Sequence, residues 1–314
     1  MRYENKLFID GVDAMVEYGV FVERNGYRQV VQMPVFKKIE QTDWPEYDGV
    51  EADLSNPRLD ARQFQIQFCI KNVRWAEDLF IALSDGVYHK FDFREIGKVM
   101  DLRLVSNGAF SSYIRLGKMT LTFADDAPAA LNGDPYELGE SEVVQRGYEL
   151  DGIDFSRFGM YVLRGTDDSI RKAPNVRDNL KITAKNMSGV QYDSNGDVHW
   201  KSKDITLKLF VRATDIEEFW ERYGALYQVL MEAGEHTFRF RPIDIDYHCF
   251  YKSNSVSRFD ILTSGKVWCE FSVVLTVLDW HPVSSWLLLE TEREELVITE
   301  NDGSNINYNI KIRI

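Results

Sequence analysis

Two segments of this chain carry the same landmarks in the same order, and that duplication restricts the folds open to it more than any other feature. The clearer copy spans residues 203–254. It opens on Ile205-Thr-Leu207-Lys-Leu209-Phe-Val211, where apolar side chains at every second position line one face of a strand. Thr214-Asp-Ile-Glu217 then reads as a capping box, its hydroxyl and carboxylate each satisfying an orphan amide at a helix start. Ile216, Phe219, Trp220, Tyr223, Leu226, Tyr227 and Leu230 follow at helical spacing, giving an apolar stripe that must lie on a partner, the adjacent sheet. Gly234 is placed to end the helix in a left-handed turn. Two further segments, 236–240 and 247–254, have strand periodicity.

The earlier copy spans 62–107. Phe64-Gln-Ile66-Gln-Phe68-Cys-Ile70 alternates in the same way, 78–83 makes a shorter helical run, and His89-Lys-Phe91-Asp-Phe93 matches His236-Thr-Phe238-Arg-Phe240. Phe64 stands 141 residues before Ile205, His89 stands 147 before His236, and Ser106-Asn107 stands 147 before Ser253-Asn254, which predicts a second helix six residues longer. Upstream, Asp10-Gly11 pairs with Asp151-Gly152 at 141, and Tyr18-Gly19-Val20 with Phe158-Gly159-Met160 at 140. Alternating strands alone would not reproduce the order, spacing and paired glycines, so the chain is read as an internal duplication.

The expected fold is therefore mainly β (α+β): two tandem, similar β-barrel-like domains, each with one packed helix, plus a C-terminal hairpin. The divisions are 1–126 for the first repeat, 127–148 for a linker with two prolines and three glycines, 149–282 for the second repeat, and 283–314 for the appendix. At 314 residues the chain fits two domains of ordinary size, each able to hold a core. Within the first repeat, strands are expected at 6–9, 20–24 and 27–33, the last two joined through Asn25-Gly26 in a type I′ turn. The stretches 34–57 and 164–200 read as long excursions at matching places, with Gly49-Val50 and Gly189-Val190 in register at 140. The appendix hairpin is expected to pair 296–298 with 306–312 around Asn301-Asp302-Gly303.

Composition narrows function chiefly by exclusion. The net charge is −13, and acids outnumber bases in each of the four segments, so no piece offers the positive patch that binding through nucleic-acid phosphates needs. No apolar run approaches the roughly 20 residues of a membrane-spanning helix, and the first residues lack a signal-peptide core, which gives the expectation of a chain folded in the cytoplasm. Three cysteines, Cys69, Cys249 and Cys269, are expected to be reduced thiols among strand residues.

No spacing supports catalysis. The five histidines, His89, His199, His236, His248 and His281, form no metal-ligand pattern, and the duplicated His89 and His236 read as half-buried strand residues in preference to matched ligands or a pH switch. Asp193-Ser-Asn195-Gly196-Asp197 begins like a calcium loop but has Val198 where glycine is required and Asp204 at the twelfth position, so a turn is expected. The neighbouring acids Asp125-Asp126, Asp167-Asp168 and Glu217-Glu218 point apart in regular structure. Catalytic, cofactor and metal residues are accordingly expected to be absent. Aromatics in the excursions, Trp44, Tyr47, Tyr192 and Trp200, suit either stacking on sugar or a protein interface.

The order of strand, Asp-Gly step, aromatic-Gly-aliphatic strand, long excursion, alternating strand, helix and x-Phe-x-Phe strand resembles the N-terminal barrel domain of phage distal tail proteins. Residues 9–11 with 18–20, and 150–152 with 158–160, carry the resemblance, which covers nearly all of both repeats. It is similar also to the tail-hub proteins of contractile phages, in which two barrels per chain let a trimer imitate six-fold symmetry. The resemblance implies a structural, non-enzymatic component of a phage or prophage-derived tail or baseplate, located in the virion tail after assembly in the bacterial cytoplasm. It implies a self-associated ring, a trimer in preference to a hexamer, contacting tail-tube and baseplate proteins, through which DNA passes without specific binding. Two barrels in succession depart from the commoner distal tail protein, which has one barrel and a different C-terminal module. The alternative reading is a surface-acting carbohydrate-binding β protein or receptor-binding module; an enzyme with a scattered site is the third.

Overall fold

The computed structural model describes residues 3–71, 73–112, 116–128, 141–179, 181–192, 197–280 and the strand pair at 289–290 and 296–297. In chain order the first half contains β1 (Leu7–Ile9), β2 (Val12–Asp13), α1 (Ala14–Glu17), β3 (Val20–Val22), α2 (Arg28–Val31), β4 (Gln41–Thr42), β5 (Glu51–Ala52), β6 (Arg62–Ile70), α3 (Val73–Leu83), β7 (Tyr88–Phe93), β8 (Lys98–Ser112) and β9 (Gly117–Asp125). The second half contains β10 (Tyr148–Leu150), β11 (Ile153–Asp154), β12 (Met160–Val162), α4 (Thr166–Arg171), β13 (Lys181–Ile182), β14 (Gln191–Tyr192), β15 (Lys203–Ala213), α5 (Ile216–Leu230), β16 (His236–Phe240), β17 (Ile245–Ile261) and β18 (Val267–Val277). A final pair, β19 (Leu289–Glu290) and β20 (Leu296–Val297), follows.

The chain is mainly β, with curled antiparallel sheets and few helices. Two seven-stranded sheets have the orders β2-β1-β7-β8-β9-β6-β3 and β11-β10-β16-β17-β18-β15-β12, the same order strand for strand. Registers agree as well. Phe64 faces Phe123 where Ile205 faces Leu275, and Ile9 faces Phe91 where Leu150 faces Phe238. A register shift between Leu104 and Ser106 in β8 recurs between Tyr251 and Ser253 in β17, 147 residues on. A bulge inserts one unpaired residue, which flips the inward-outward alternation, as between Tyr251 and Asn254 in β17, and adds local twist; its repetition at one place in both sheets is evidence of equivalent strands beyond strand order alone. Inward and outward positions alternate along β15, as the sequence pattern requires for a sheet with one buried face.

Helix α5 lies on its sheet with Phe219, Tyr223, Leu226, Tyr227 and Leu230 buried, but its start differs from the expectation. Asp215 is the N-cap and accepts from the Glu218 amide at 2.9 Å, while the Glu218 carboxylate takes the amide and hydroxyl of Thr214. The box is thus shifted by one residue, because Asp215 fills the cap position as well as threonine would and places Glu218 one turn on. Helix α5 has 15 residues and α3 has 11, so helix accounts for four of the six inserted residues and the connections for the rest.

The expected strand at 27–33 is instead the one-turn helix α2. Asn25 is left-handed, but Gly26 is not, so the two positive φ values of a type I′ turn are absent. Tyr27, Val30 and Val31 are buried, a helical spacing that the alternating reading of the same residues hid. The end of the expected linker also belongs to the second repeat: Gln145 bridges edge strand β12 through its side chain, bonding the amide and carbonyl of Val162 at 2.6 and 3.0 Å, and β10 begins at Tyr148. In the appendix, β20 pairs with β19; the 306–312 half of the expected hairpin lies outside the described residues.

Candidate functional site

The repeated histidines are structural clasps. Asp10 and Asp151 both occupy left-handed backbone at φ 52° and 50°, one step before Gly11 and Gly152, at the turns leaving β1 and β10. His89 Nδ1 lies 2.6 Å from Asp10 Oδ2, and the other Asp10 oxygen accepts from the Lys90 amide at 2.8 Å. His236 and Asp151 repeat this at 2.7 Å, with the Thr237 amide on the second oxygen. Each clasp ties the turn to the strand it pairs with. Both nitrogens of His89 are occupied, the second by Asp85 at 3.0 Å. Burial opposes its protonation, but the two carboxylates outweigh burial and raise its pKa above the ordinary value.

The neighbouring acids diverge. Asp125 is buried against Arg62, while Asp126 accepts from Tyr88 and Arg103 at the surface. Asp167 accepts from the Tyr148 hydroxyl, and Glu218 serves the α5 start. No group of histidine, cysteine and acidic side chains that could hold a metal ion occurs among the described residues. Residues 193–196 of the calcium-like loop lie outside the described residues, and Asp204, its twelfth position, stands in β15 with its carboxylate accepting from Thr276 and Lys252. Cys249 and Cys269 are buried free thiols, Cys69 is a half-buried one, and burial pushes the Cys249 thiol up to about 12. One charged residue that gave no signal in the sequence is Lys98, whose burial beneath Trp220, with Arg62 nearby, brings its pKa down to about 7.

Polar contacts cross the seam between the two sheets. Trp220, expected deep in the stripe, is half-buried and points across this seam, where its indole N–H donates to the Ile96 carbonyl at 2.6 Å. Helix α2 of the first half lies along β17 of the second. Gln32 donates to the Asn254 carbonyl at 2.9 Å, and Asn25 accepts from the Phe259 amide at 2.9 Å. Arg24 meets Asp260 at 3.2 Å, and Tyr251 donates to the Pro34 carbonyl at 3.2 Å. Buried residues of both sheets consequently form one contiguous apolar cluster, so each repeat's core continues into the other's.

Past Pro34 the first excursion becomes an arm. Its hairpin, β4 with β5, lies on the far end of the second sheet, where the Gly49 amide donates to the Trp200 carbonyl at 2.9 Å and the Val50 amide to the Leu278 carbonyl at 2.7 Å. Asp48 accepts from the Trp200 amide at 2.6 Å, and buried Arg177 bonds the Gly49 carbonyl and Asp43. Leu54, Phe250 and Leu278 form a small apolar cluster underneath, with Ile39, Val50 and Ala52 against it. The second excursion repeats the construction 140 residues on. Strands β13 and β14 pair as β4 and β5 do, and the bridge Phe36–Leu59 becomes Val176–Trp200. Among the described residues this second arm meets no equivalent surface: Val190 is 52% exposed and Tyr192 48%.

Of the aromatics singled out in the excursions, Trp44 and Tyr47 are exposed on the docked arm and Tyr192 on the other, whereas Trp200 packs edge-on against Trp280. The four do not form one platform. Among the described residues no helix is long and apolar enough to cross a membrane. No protein-family model and no curated protein matches the sequence.

Proposed function

We propose that the chain is a structural, non-enzymatic component of a phage or prophage-derived tail or baseplate, self-associated into a ring around the tail channel and joining tube to baseplate. The observation that supports this best is the docked arm. One repeat reaches over the next with a preformed hairpin and binds it by main-chain hydrogen bonds, which is how a ring of like modules would be joined. Two modules per chain place six around an axis with three chains, so a trimer serves where a hexamer of chains would give twelve. The acidic charge of every segment suits a channel wall past which DNA phosphates slide without being held.

Labelling in particles tests the reading. An epitope-tagged chain expressed from its own locus is expected at the tube–baseplate junction by immunogold electron microscopy of induced particles, and in pull-downs with tail-tube and baseplate proteins. A chain missing from purified particles, or located at fibre tips binding polysaccharide, would replace this reading by the carbohydrate-binding one.

A further inference from the structure

The docked first arm has a surface of the second sheet as its receptor, and both halves of that contact have a counterpart elsewhere in the chain. The counterpart of the arm is the hairpin of β13 and β14. Strand registers give the counterpart of the receptor: Trp200 corresponds to Leu59 through the two bridges, and Val277 to Asp125 through Lys203 and Arg62, which puts Asp126 in the place of Leu278. The receptor's second apolar residue, Phe250, corresponds in the same way to Arg103 of β8.

We propose that the second arm docks on the first sheet of another copy of this chain, with residues 188–190 set against Leu59 and Asp126. The occupant is a second copy because the chain already makes this contact once with itself, and among the described residues one arm and one receptor, at opposite ends of the duplication, are left without that contact. Apolar exposure marks both ends. Phe36 packs edge-on against Tyr251 in the internal contact, while its counterpart Val176 is 47% exposed; on the receptor side Val105 of β8, two residues from Arg103, is exposed at 40%. Gly189 keeps the positive φ of Gly49, at 84° against 73°, yet nothing lies within 4 Å of the space a Cβ would fill, whereas at Gly49 that space is occupied by the Leu278 backbone.

The two contacts differ in chemistry. Leu54, Phe250 and Leu278 seal the internal one, but at the unused receptor Arg103 and Asp126 pair at 2.9 Å with Tyr88 on the same carboxylate. A second arm arriving there lays its backbone beside an ion pair, so the external joint is more polar and more easily reversed than the internal one. A head-to-tail contact of this kind closes into a ring or runs on as a filament, depending on its rotation. Closure rests on the ring reading above; the contact itself does not.

Cysteine pairs test the contact. Ser188→Cys and Leu59→Cys are placed in separate proteins and mixed under oxidising conditions, with Val16→Cys, exposed and off both surfaces, as the comparison partner for Ser188→Cys. The first pair is expected to cross-link about tenfold faster, because docking raises the local thiol concentration, with mass spectrometry joining the two peptides. Equal rates for the two pairs overturn the proposal. Hydrogen exchange of the unsubstituted chain reads the same contact without variants: protection at the Gly189 and Val190 amides is expected to rise with protein concentration, and unchanged protection while oligomers form overturns it. A chain carrying both cysteines separates this proposal from the ring. Closed trimers support both, an open-ended ladder keeps the contact and removes the ring, and a ring seen by microscopy without the cross-link removes the contact alone.

Discussion

The carbonyl oxygen of Leu278 lies 1.8 Å from the point a Cβ on Gly49 would occupy, so the first arm can lie on the second sheet only because residue 49 has no side chain. Gly49 also has φ 73°, which strains any other residue. Its counterpart Gly189 has the same backbone but open space around it. Gly189→Ala is therefore expected to cost about 1 kcal/mol, from left-handed strain alone. Gly49→Ala adds displacement of the arm and is expected to cost about 3 kcal/mol or more. Denaturant unfolding of the pair measures the difference; equal losses would mean that the arm does not bear on Leu278.

A second expectation concerns Trp220. Trp220→Ala removes a large seam side chain and its bond to Ile96, and is expected to cost about 3 kcal/mol, the low end for aromatic truncation because the ring is only half-buried. Trp220→Phe keeps an aromatic ring, though a smaller one, and loses the N–H, for about 1 kcal/mol or somewhat more. Thermal and urea unfolding check both, and a null effect of both variants would remove Trp220 from the seam.

The helix start gives a third. Asp215→Ala takes away the acceptor for the Glu218 amide and is expected to lower stability by about 1 kcal/mol. Thr214→Ala leaves that cap in place and should cost less. The opposite ranking in urea unfolding would restore the threonine-capped start.

These corrections show which parts of the fold are legible in a sequence. The duplication was readable because register, paired glycines and strand period survive in local spacing: Asp10-Gly11 and Asp151-Gly152 have the same backbone, and His89 and His236 the same partner. The one-turn helix at Arg28–Val31 was not, since Tyr27, Val30 and Val31 are β-favouring residues whose helical geometry is decided by what they are buried against. The cap position was ambiguous because Thr214 and Asp215 are both good N-caps with an acid three residues on. The seam was hidden altogether. Gln32, Trp220 and Asn254 are unremarkable in sequence, and only the folded sheets bring them together across more than 30 positions at the least.

The clasps carry a fourth expectation, in pH. The folded pKa of His89 is raised above 6.5, so its contribution is complete below 6.5 and is lost as pH rises through the folded value. For Asp151, burial raises the pKa but the bonds from His236 and the Thr237 amide outweigh it, and the net value is lowered below 3.8. Its contribution is complete above 3.8 and is lost as pH falls through the folded value. His89→Gln is expected to flatten the decline of stability on the alkaline side, and Asp151→Asn that on the acid side. Urea midpoints across the pH range check this, and a profile unchanged in both variants would exclude the clasps as its source.

The claim that a duplicated chain builds a ring is tested most directly by electron microscopy of the chain within its native particle. Six similar modules around a central channel are expected, contributed by three chains, with the 181–192 hairpin of each chain lying on the first sheet of its neighbour. A chain present as a single copy, or in a ring with both hairpins directed into solvent, would contradict the account.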